Sequence, residues 1–287
     1  MQVALVTYPA QPDLSSDDRL LARGLEARGV SAVPVVWQDA SVAWTEFDLV
    51  LLRSTWDYHL HLDAFLHWVD VVGEATRLWN PPSIIHWNAR KTYLDDLRSQ
   101  GISVVPTHWL ASGNVVDLAL VLQETGWERV VLKPVVSASA WNTCLVHREA
   151  TADGQQLLDR LLPSTDFMIQ PYRSTVELDG ELSLIFVGGT FGHAVVKTPR
   201  RGDFRSQEDF GGRIEATTAP TGAPEVAERC LAAVPGETLY ARVDLLGNPH
   251  DGYEVVELEL IEPSLFLEHG PGTVSRLLQA IVQRLAP

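Results

Sequence analysis

Lys133 lies inside an apolar, β-branched run, Val130–Val131–Leu132–Lys133–Pro134, which the small residues Ser137–Ala138–Ser139–Ala140 soon follow. A run of that composition reads as a strand, and such strands are usually buried on at least one face. An ammonium there must reach water, meet an anion or give up its proton, because a bare buried charge is too costly. An edge strand with its lysine in solvent meets the same constraint, and for one lysine taken alone it is the simpler reading. The rest of the chain has to supply an anion-binding setting.

Bulk properties narrow that setting. At 287 residues the chain exceeds one ordinary core and suits two or three compact units. It is 46% hydrophobic and 21% charged, and holds no biased tract that would resist folding. Asp, Glu, Arg or Gly interrupts every apolar run before membrane-spanning length. The opening MQVALVTYPAQPD lacks a basic leader and enters a strand-like segment, so no export signal is expected. Two cysteines, Cys144 and Cys230, make no disulfide framework, and a cytoplasmic location is expected. A formal net charge of -15 argues against nucleic acid or an anionic membrane as partner. The basic residues are nevertheless uneven, with Lys197, Arg200, Arg201 and Arg205 placing four of the 22 within nine positions. A basic loop in an acidic chain suits a small anion better than a polymer, and a solvated loop between strands is the plainer alternative.

Strand and helix alternate at first. Val3–Thr7, Ala32–Trp37 and Asp48–Leu52 read as strands. Ser16 is placed to cap a helix through about Arg28, with Leu20, Leu21 and Leu25 on one face, and Leu62–Val72 is a second helix. This implies a small parallel α/β sheet. Ligands of such sheets sit beyond the carboxyl ends of the strands, here at RSTWDY, with Arg53, Ser54, Thr55 and Asp57. After the break at Asn80-Pro81-Pro82, Asn88 reads as the cap of a helix that carries Lys91 and ends at Gly101. Strands at Ile102–Pro106, around Lys133 and at Thr143–His147, with helices at Val115–Thr125 and Gly154–Leu162, form an α+β unit closing at DFMIQPY. LSLIFVGG and FGHAVVKTP then read as a hairpin turning at Gly188-Gly189-Thr190. A helix at Pro224–Ala233, strands at Thr238–Leu246 and Tyr253–Ile261, and a helix at Val274–Arg284 complete the pattern.

Three features carry chemistry. Lys91 and Lys133 lie in distinct segments, the basic loop follows the hairpin, and carboxylates gather on the late strands as Asp244, Glu257 and Glu259. Residues two apart on a strand share a face, so Glu257 and Glu259 point the same way. If the Asp244 strand pairs beside them, Arg242 joins the three carboxylates. Hard oxygen ligands of this kind suit Mg²⁺ rather than zinc. For Glu-x-Glu alone a solvated sheet face is the better reading, but Asp244 sits among Val243, Leu245 and Leu246, where an ionised residue usually has a partner. Lysines, an arginine loop and a Mg²⁺ cluster together describe a nucleoside triphosphate site. Neither GxxxxGK[ST] nor a strand-borne GxGxxG is present.

These residues resemble the ATP-grasp ligases, in their glutathione synthetase-like branch, over nearly the whole chain. The family resemblance implies Arg53 and Asp57 at the substrate site (FDLVLLRSTWD), with Ser54 and Thr55 between them. It implies Lys91 (NARKTYL) and Lys133 (VVLKP) on ATP, Gln170, Pro171 and Tyr172 (MIQPY) at the adenine edge, and Glu181 (DGELS) on the ribose side. VVKTPRRGDFRSQEDFGG resembles the phosphate and substrate loop, giving Lys197, Arg205, Gln207 and Gly212. RVDLLG and ELELIEP resemble the metal strands, giving Arg242, Asp244, Glu257 and Glu259, with Glu259 where the family has asparagine; a register through Glu262 is the alternative. The lid, SASAWNT, lacks the family's glycines, so a stiffer loop is expected. The lid and the ELIEPSLF ending resemble the cyclo-ligases that close D-cycloserine from O-ureido-D-serine.

The resemblance implies three units: a substrate-side parallel sheet (pre-ATP-grasp) over 1–88, a central ATP-lid domain over 89–175, and an antiparallel-sheet catalytic and metal domain over 176–287. It implies an ATP-dependent carbon–nitrogen ligase with ATP and two Mg²⁺ ions, acting on a small amino-acid-like carboxylate, and a homodimer is compatible with it. A small-molecule kinase and a non-catalytic, regulatory ATP-binding protein are the rival readings. His59, His61 and His67 fit no structural zinc spacing and read as packing residues, and Trp56 is a candidate for the substrate pocket.

Overall fold

The computed structural model describes residues 1–206 and 210–286. Strands β1 (Gln2–Thr7), β2 (Ser31–Val36), β3 (Leu49–Ser54) and β4 (Leu78–Trp79) form a parallel sheet in the order β2-β1-β3-β4. Helices α1 (Ser16–Glu26) and α2 (Leu62–Ala75) make the crossovers. β3 is buried along its whole length and β1 nearly so, which is why neither alternates in polarity. Ser15, not Ser16, caps α1, its hydroxyl accepting from Asp18 N at 3.1 Å.

The segment after β4 departs from the expected single helix. Helices α3 (Pro82–Asn88) and α4 (Tyr93–Ser99) are separated by a turn that holds Lys91. Asn88 ends α3 instead of capping a helix. Its amide donates to Leu258 O (2.8 Å) and accepts from Leu260 N (2.9 Å), completing the edge of a distant strand. Lys91 N donates to Val135 O at 3.0 Å, which draws the turn toward the central sheet.

That central sheet has β5 (His108–Leu110), β6 (Arg129–Pro134), β7 (Cys144–His147) and β8 (Phe167–Pro171) in the antiparallel order β5-β8-β6-β7. Helices α5 (Leu118–Thr125) and α6 (Ala152–Leu161) pack their leucines on it. Ile102–Pro106 is not one of its strands. Val104 instead makes a parallel bridge to Val255 at the edge of the last sheet, and β5 takes the expected place.

After the short α7 (Thr175–Leu178), β9 (Glu181–Val187), β10 (Thr190–Thr198), β11 (Arg213–Thr217), β12 (Tyr240–Asn248) and β13 (Gly252–Glu259) form an antiparallel sheet ordered β11-β10-β9-β12-β13. The β9–β10 hairpin turns through Gly188 and Gly189, both at positive φ (56° and 72°), as a two-residue turn of this hand requires. Helix α8 (Ala223–Ala232) covers one face, and α9 (Pro271–Leu285) packs between this sheet and β1, β3 and α1. Among the described residues no helix is long and apolar enough to cross a membrane.

Candidate active site

A cavity of about 310 Å³ opens where the three sheets meet, and β12 and β13 form its floor. Register sets Asp244 opposite Glu257 and Arg242 opposite Glu259. Residues directly across an antiparallel pair project to the same face, so the four side chains converge. One oxygen from each of Asp244, Glu257 and Glu259 lies within 4.8 Å of the others.

Each of these carboxylates has a cation. Arg242 bonds Asp244 Oδ2 (2.9 Å) and also Glu259, Lys197 Nζ lies 3.2 Å from Asp244 Oδ2, and Lys91 Nζ lies 2.9 Å from Glu257 Oε1. From β9, Ser183 donates to Asp244 Oδ1 at 2.5 Å. Burial alone would raise the Asp244 carboxyl, but Arg242 and Lys197 outweigh it and hold it below the usual range. Burial is likewise overcome at Glu257, which Lys91 and Lys133 keep low. Glu259 goes the other way. Burial, with the charges of Glu257 and Asp244, pushes it up to about 7 although Arg242 opposes. Three hard oxygens at this spacing fit a Mg²⁺ ion, and their present partners are long side chains able to swing toward an anion.

Lys133 enters the same cavity from β6, only 8% exposed and without an ion pair among the described residues. Burial lowers its pKa; Glu257, its main counter-charge, already holds Lys91. Lys91 Nζ also donates to Ser137 O (2.8 Å), which ties it to the loop after β6. Within that loop Ser139, Ala140 and Asn142 have φ of 49°, 54° and 49°. The lid therefore holds three non-glycine residues in the left-handed region that favours glycine.

On the central side, Gln170, Pro171 and Tyr172 line the cavity. Gln170 donates to Thr107 Oγ1 (3.0 Å), and Tyr172 lies under the Arg129 guanidinium (4.5 Å). Glu181 accepts from Lys197 Nζ (2.5 Å) and from the buried Ser206 hydroxyl (2.8 Å). Arg205 lies 3.6 Å from the Phe210 ring and is braced by Asp203, whose carboxyl it holds at about 2.

A cycloserine biosynthesis protein, DcsG of Streptomyces lavendulae, is 30% identical to this chain over 302 residues, covering 99% of each. The chain belongs to the ATP-grasp ligases, in the branch of that protein. The family described as the N-terminal domain of D-cycloserine synthetase DcsG matches residues 3–80 of this ATP-grasp ligase. Its fold overlays a crystal structure of D-cycloserine synthetase DcsG with a TM-score of 0.89 and 28% identity over all of both chains. D-alanine–D-alanine ligase from Bacillus anthracis, complexed with ATP, overlays with a TM-score of 0.72 and 16% identity over 99% of this chain and 97% of that one.

The sequence-derived residues of this ATP-grasp ligase thus divide into two groups. Lys91, Lys133, Gln170, Pro171, Tyr172, Glu181, Lys197, Arg205, Arg242, Asp244, Glu257 and Glu259 meet around one cavity. Arg53, Ser54, Thr55, Asp57 and Gly212 are not among the described residues lining it, and Gln207 lies outside the described residues. Arg53, 2% exposed, bonds Asp18 (2.8 Å) and Pro263 O (3.1 Å), while its Nη1 has no partner among the described residues. Ser54 donates to Asp18 (2.5 Å), and Asp57 accepts from Trp37 (2.8 Å) and Gln38 (2.5 Å). Tyr58, Ser183, Ser206, Ser264 and Phe266 line or brace the site without having been singled out. Ser183 was detectable only through its cross-strand register with Asp244, and Phe266 through a left-handed φ of 50° that no residue type announces.

Proposed function

We propose that this ATP-grasp ligase uses ATP to activate a small amino-acid-like carboxylate as an acyl phosphate, which a nitrogen of the same molecule then attacks to close a ring. The observation that carries the reading is Lys133, a buried cation with no ion pair among the described residues, sharing a cavity with the carboxylates of Asp244, Glu257 and Glu259. A Mg²⁺-triphosphate would satisfy both, the carboxylates holding the metal and Lys133 the phosphates. The likeness to the cycloserine biosynthesis protein over 99% of both chains supports the cyclo-ligase form of the chemistry.

In this reading Gln170, Pro171 and Tyr172 take the adenine edge, Glu181 the ribose, and Lys91 and Lys133 the phosphates. Asp244, Glu257 and Glu259 would hold the Mg²⁺, two ions in this reading, which would supply neutralisation of charge on the transferred phosphoryl group. Arg242 and Arg205 stabilise the developing negative charge, with Lys197 keeping Asp244 and Glu181 in place. The substrate carboxylate attacks the γ-phosphorus and ADP leaves. The nitrogen then attacks the acyl carbon and phosphate departs. The lid excludes water from the acyl phosphate. Arg53, Ser54 and Thr55 shape the substrate end from behind its wall, and the three units divide near residues 88 and 175. The two free cysteines support a cytoplasmic location.

The test is ADP release with Mg²⁺-ATP across a panel of amino acids including O-ureido-D-serine, with and without hydroxylamine. Release that requires one carboxylate, with hydroxamate formed, is the expected outcome. A stable phosphorylated product would instead mark a kinase, and tight Mg²⁺-ATP binding without turnover would mark a nucleotide-binding module.

A further inference from the structure

Glu262 differs from the other carboxylates of the cavity. Asp244, Glu257, Glu259 and Glu181 each hold a lysine or arginine. Among the described residues, the Glu262 carboxylate has no ion pair and no hydrogen bond beyond one from its own backbone N–H, although it lines the cavity and is partly withdrawn from water. Burial favours the neutral acid at such a place, so the carboxylate form calls for a cation beside it.

Its position is built, not incidental. The segment from Ile261 to Leu267 has little regular structure, yet side chains from across the fold hold its backbone. The Tyr240 hydroxyl lies 3.0 Å from Ile261 O, Trp56 Nε1 donates to Glu262 O (3.1 Å), Arg53 to Pro263 O (3.1 Å) and Arg242 to Ser264 O (3.1 Å). Asp17 accepts from Leu265 N (3.0 Å) and Leu267 N (2.8 Å), and a His193 ring nitrogen lies 3.0 Å from Phe266 O. Along this strap Ile261, Pro263, Leu265 and Leu267 are buried, while Glu262, Ser264 and Phe266 line the cavity. A strap held at so many points keeps a side chain at a fixed place, as ligand recognition requires.

Trp56 and Tyr58, from the first unit, line the same cavity. The Trp56 indole is tied directly to the strap by its bond to Glu262 O (3.1 Å), and burial first, with the Glu262 charge second, lifts the Tyr58 phenol well above its ordinary value. Aromatic faces next to an anion suit an organic ammonium, which gains from both, better than a hydrated divalent ion that needs several oxygens. Asp57, which accepts from Trp37 and Gln38, is not among the described residues lining the cavity.

We infer that Glu262, with Trp56 and Tyr58 beside it, seats the ammonium group of the substrate and so selects amino acids over simple carboxylic acids. This rests on the proposed reading of the substrate as amino-acid-like. It orients the zwitterion with its ammonium toward the strap and its carboxylate toward Arg242 and the phosphoryl group.

The experiment is calorimetric titration, with Mg²⁺ and a non-hydrolysable ATP analogue present, of O-ureido-D-serine and of its deamino counterpart, in which hydrogen replaces the ammonium. Wild-type protein should bind the amino acid at least about tenfold more tightly. Glu262→Gln, nearly isosteric, should lose that preference while its affinity for the deamino acid stays within about twofold. Because removing the ammonium from the ligand tests wild-type protein, the result does not depend on how the variant folds. Equal affinity for the two acids, or binding of neither, overturns the assignment. So does a loss of Mg²⁺ affinity in Glu262→Gln, which would make Glu262 a metal ligand. Absence of ADP and hydroxamate alongside an ammonium preference that Glu262→Gln removes would keep the ammonium seat and sink the ligase reading.

Discussion

Arg53–Asp18 and Arg242–Asp244 are chemically the same pair in two regions of one molecule. Both arginines reach their aspartate through Nε, at 2.8 and 3.0 Å, and both aspartates are 1% exposed. They differ in what surrounds them. The other groups on Arg53 belong to the fold: Pro263 O, the Tyr240 ring at 4.9 Å, and the Asp18 carboxylate that Ser54 and Ser15 also bond. Arg242 shares its surroundings with Lys197, Glu259 and a cavity that other ions can enter. A buried ion pair walled in by the fold fixes a shape, whereas one open on a cavity can exchange partners and so take part in chemistry.

The largest expected effect breaks the open pair. Asp244→Asn keeps the shape and a hydrogen bond to Ser183 but removes one charge from the metal trio. ADP release should fall by about 10³-fold, the scale seen when one preorganised electrostatic group is lost from a site. Glu259 and Glu181 remain to hold Arg242 and Lys197, so the thermal transition should persist. Wild-type turnover in this variant would move the metal site elsewhere.

Breaking the closed pair should have the opposite profile. Arg53→Met leaves Asp18 buried without its cation and should cost about 3–5 kcal/mol of stability, read by denaturant unfolding. Turnover per folded molecule should suffer far less than in Asp244→Asn. Adding Asp18→Asn should recover part of the stability, since the stranded charge is then gone. A stable but inactive Arg53→Met protein would show that Arg53 acts on the substrate and would erase the distinction between the pairs.

This comparison also marks what the sequence could and could not reveal. Lys133 was legible because a lysine in a β-branched run violates a general rule, and Asp244 because a charge among leucines does. The Glu257–Glu259 face followed from the period of two in a strand, and the β9–β10 hairpin from two successive glycines. Arg53 satisfied the same cues as Arg242, since both follow an apolar strand-like run, but nothing local says that Asp18, 35 residues earlier, closes over it. Asn88 showed the same limit. Its residue type suits a helix cap, but its partners, Leu258 and Leu260, lie at the end of β13 and just beyond it, some 170 residues away. The lid went a step further, because its left-handed residues are alanine, serine and asparagine instead of the glycine that would have announced them.

The smallest expected effect sharpens the comparison through pH. Glu259, buried among carboxylates on the open side, is pushed up to about 7, and burial pushes Glu262 up to about 8. In the unfolded chain a glutamic acid titrates near its ordinary value of about 4.3. The folded, metal-free protein therefore binds more protons than the unfolded chain between those values. The stability these two groups contribute is full below the unfolded value and is lost as pH rises through about 7 and then about 8. Mg²⁺ reverses the trend, because it needs Glu259 ionised. Its apparent affinity should weaken as pH falls below about 7, approaching tenfold per pH unit where one proton must leave for each ion bound. Melting curves at pH 6, 7 and 8, with and without Mg²⁺, should then diverge, the metal stabilising most at the highest pH, about where the metal-free protein is weakest. Parallel curves would mean that Glu259 is already ionised throughout, held by Arg242 as tightly as Arg53 holds Asp18, and that the open pair is closed after all.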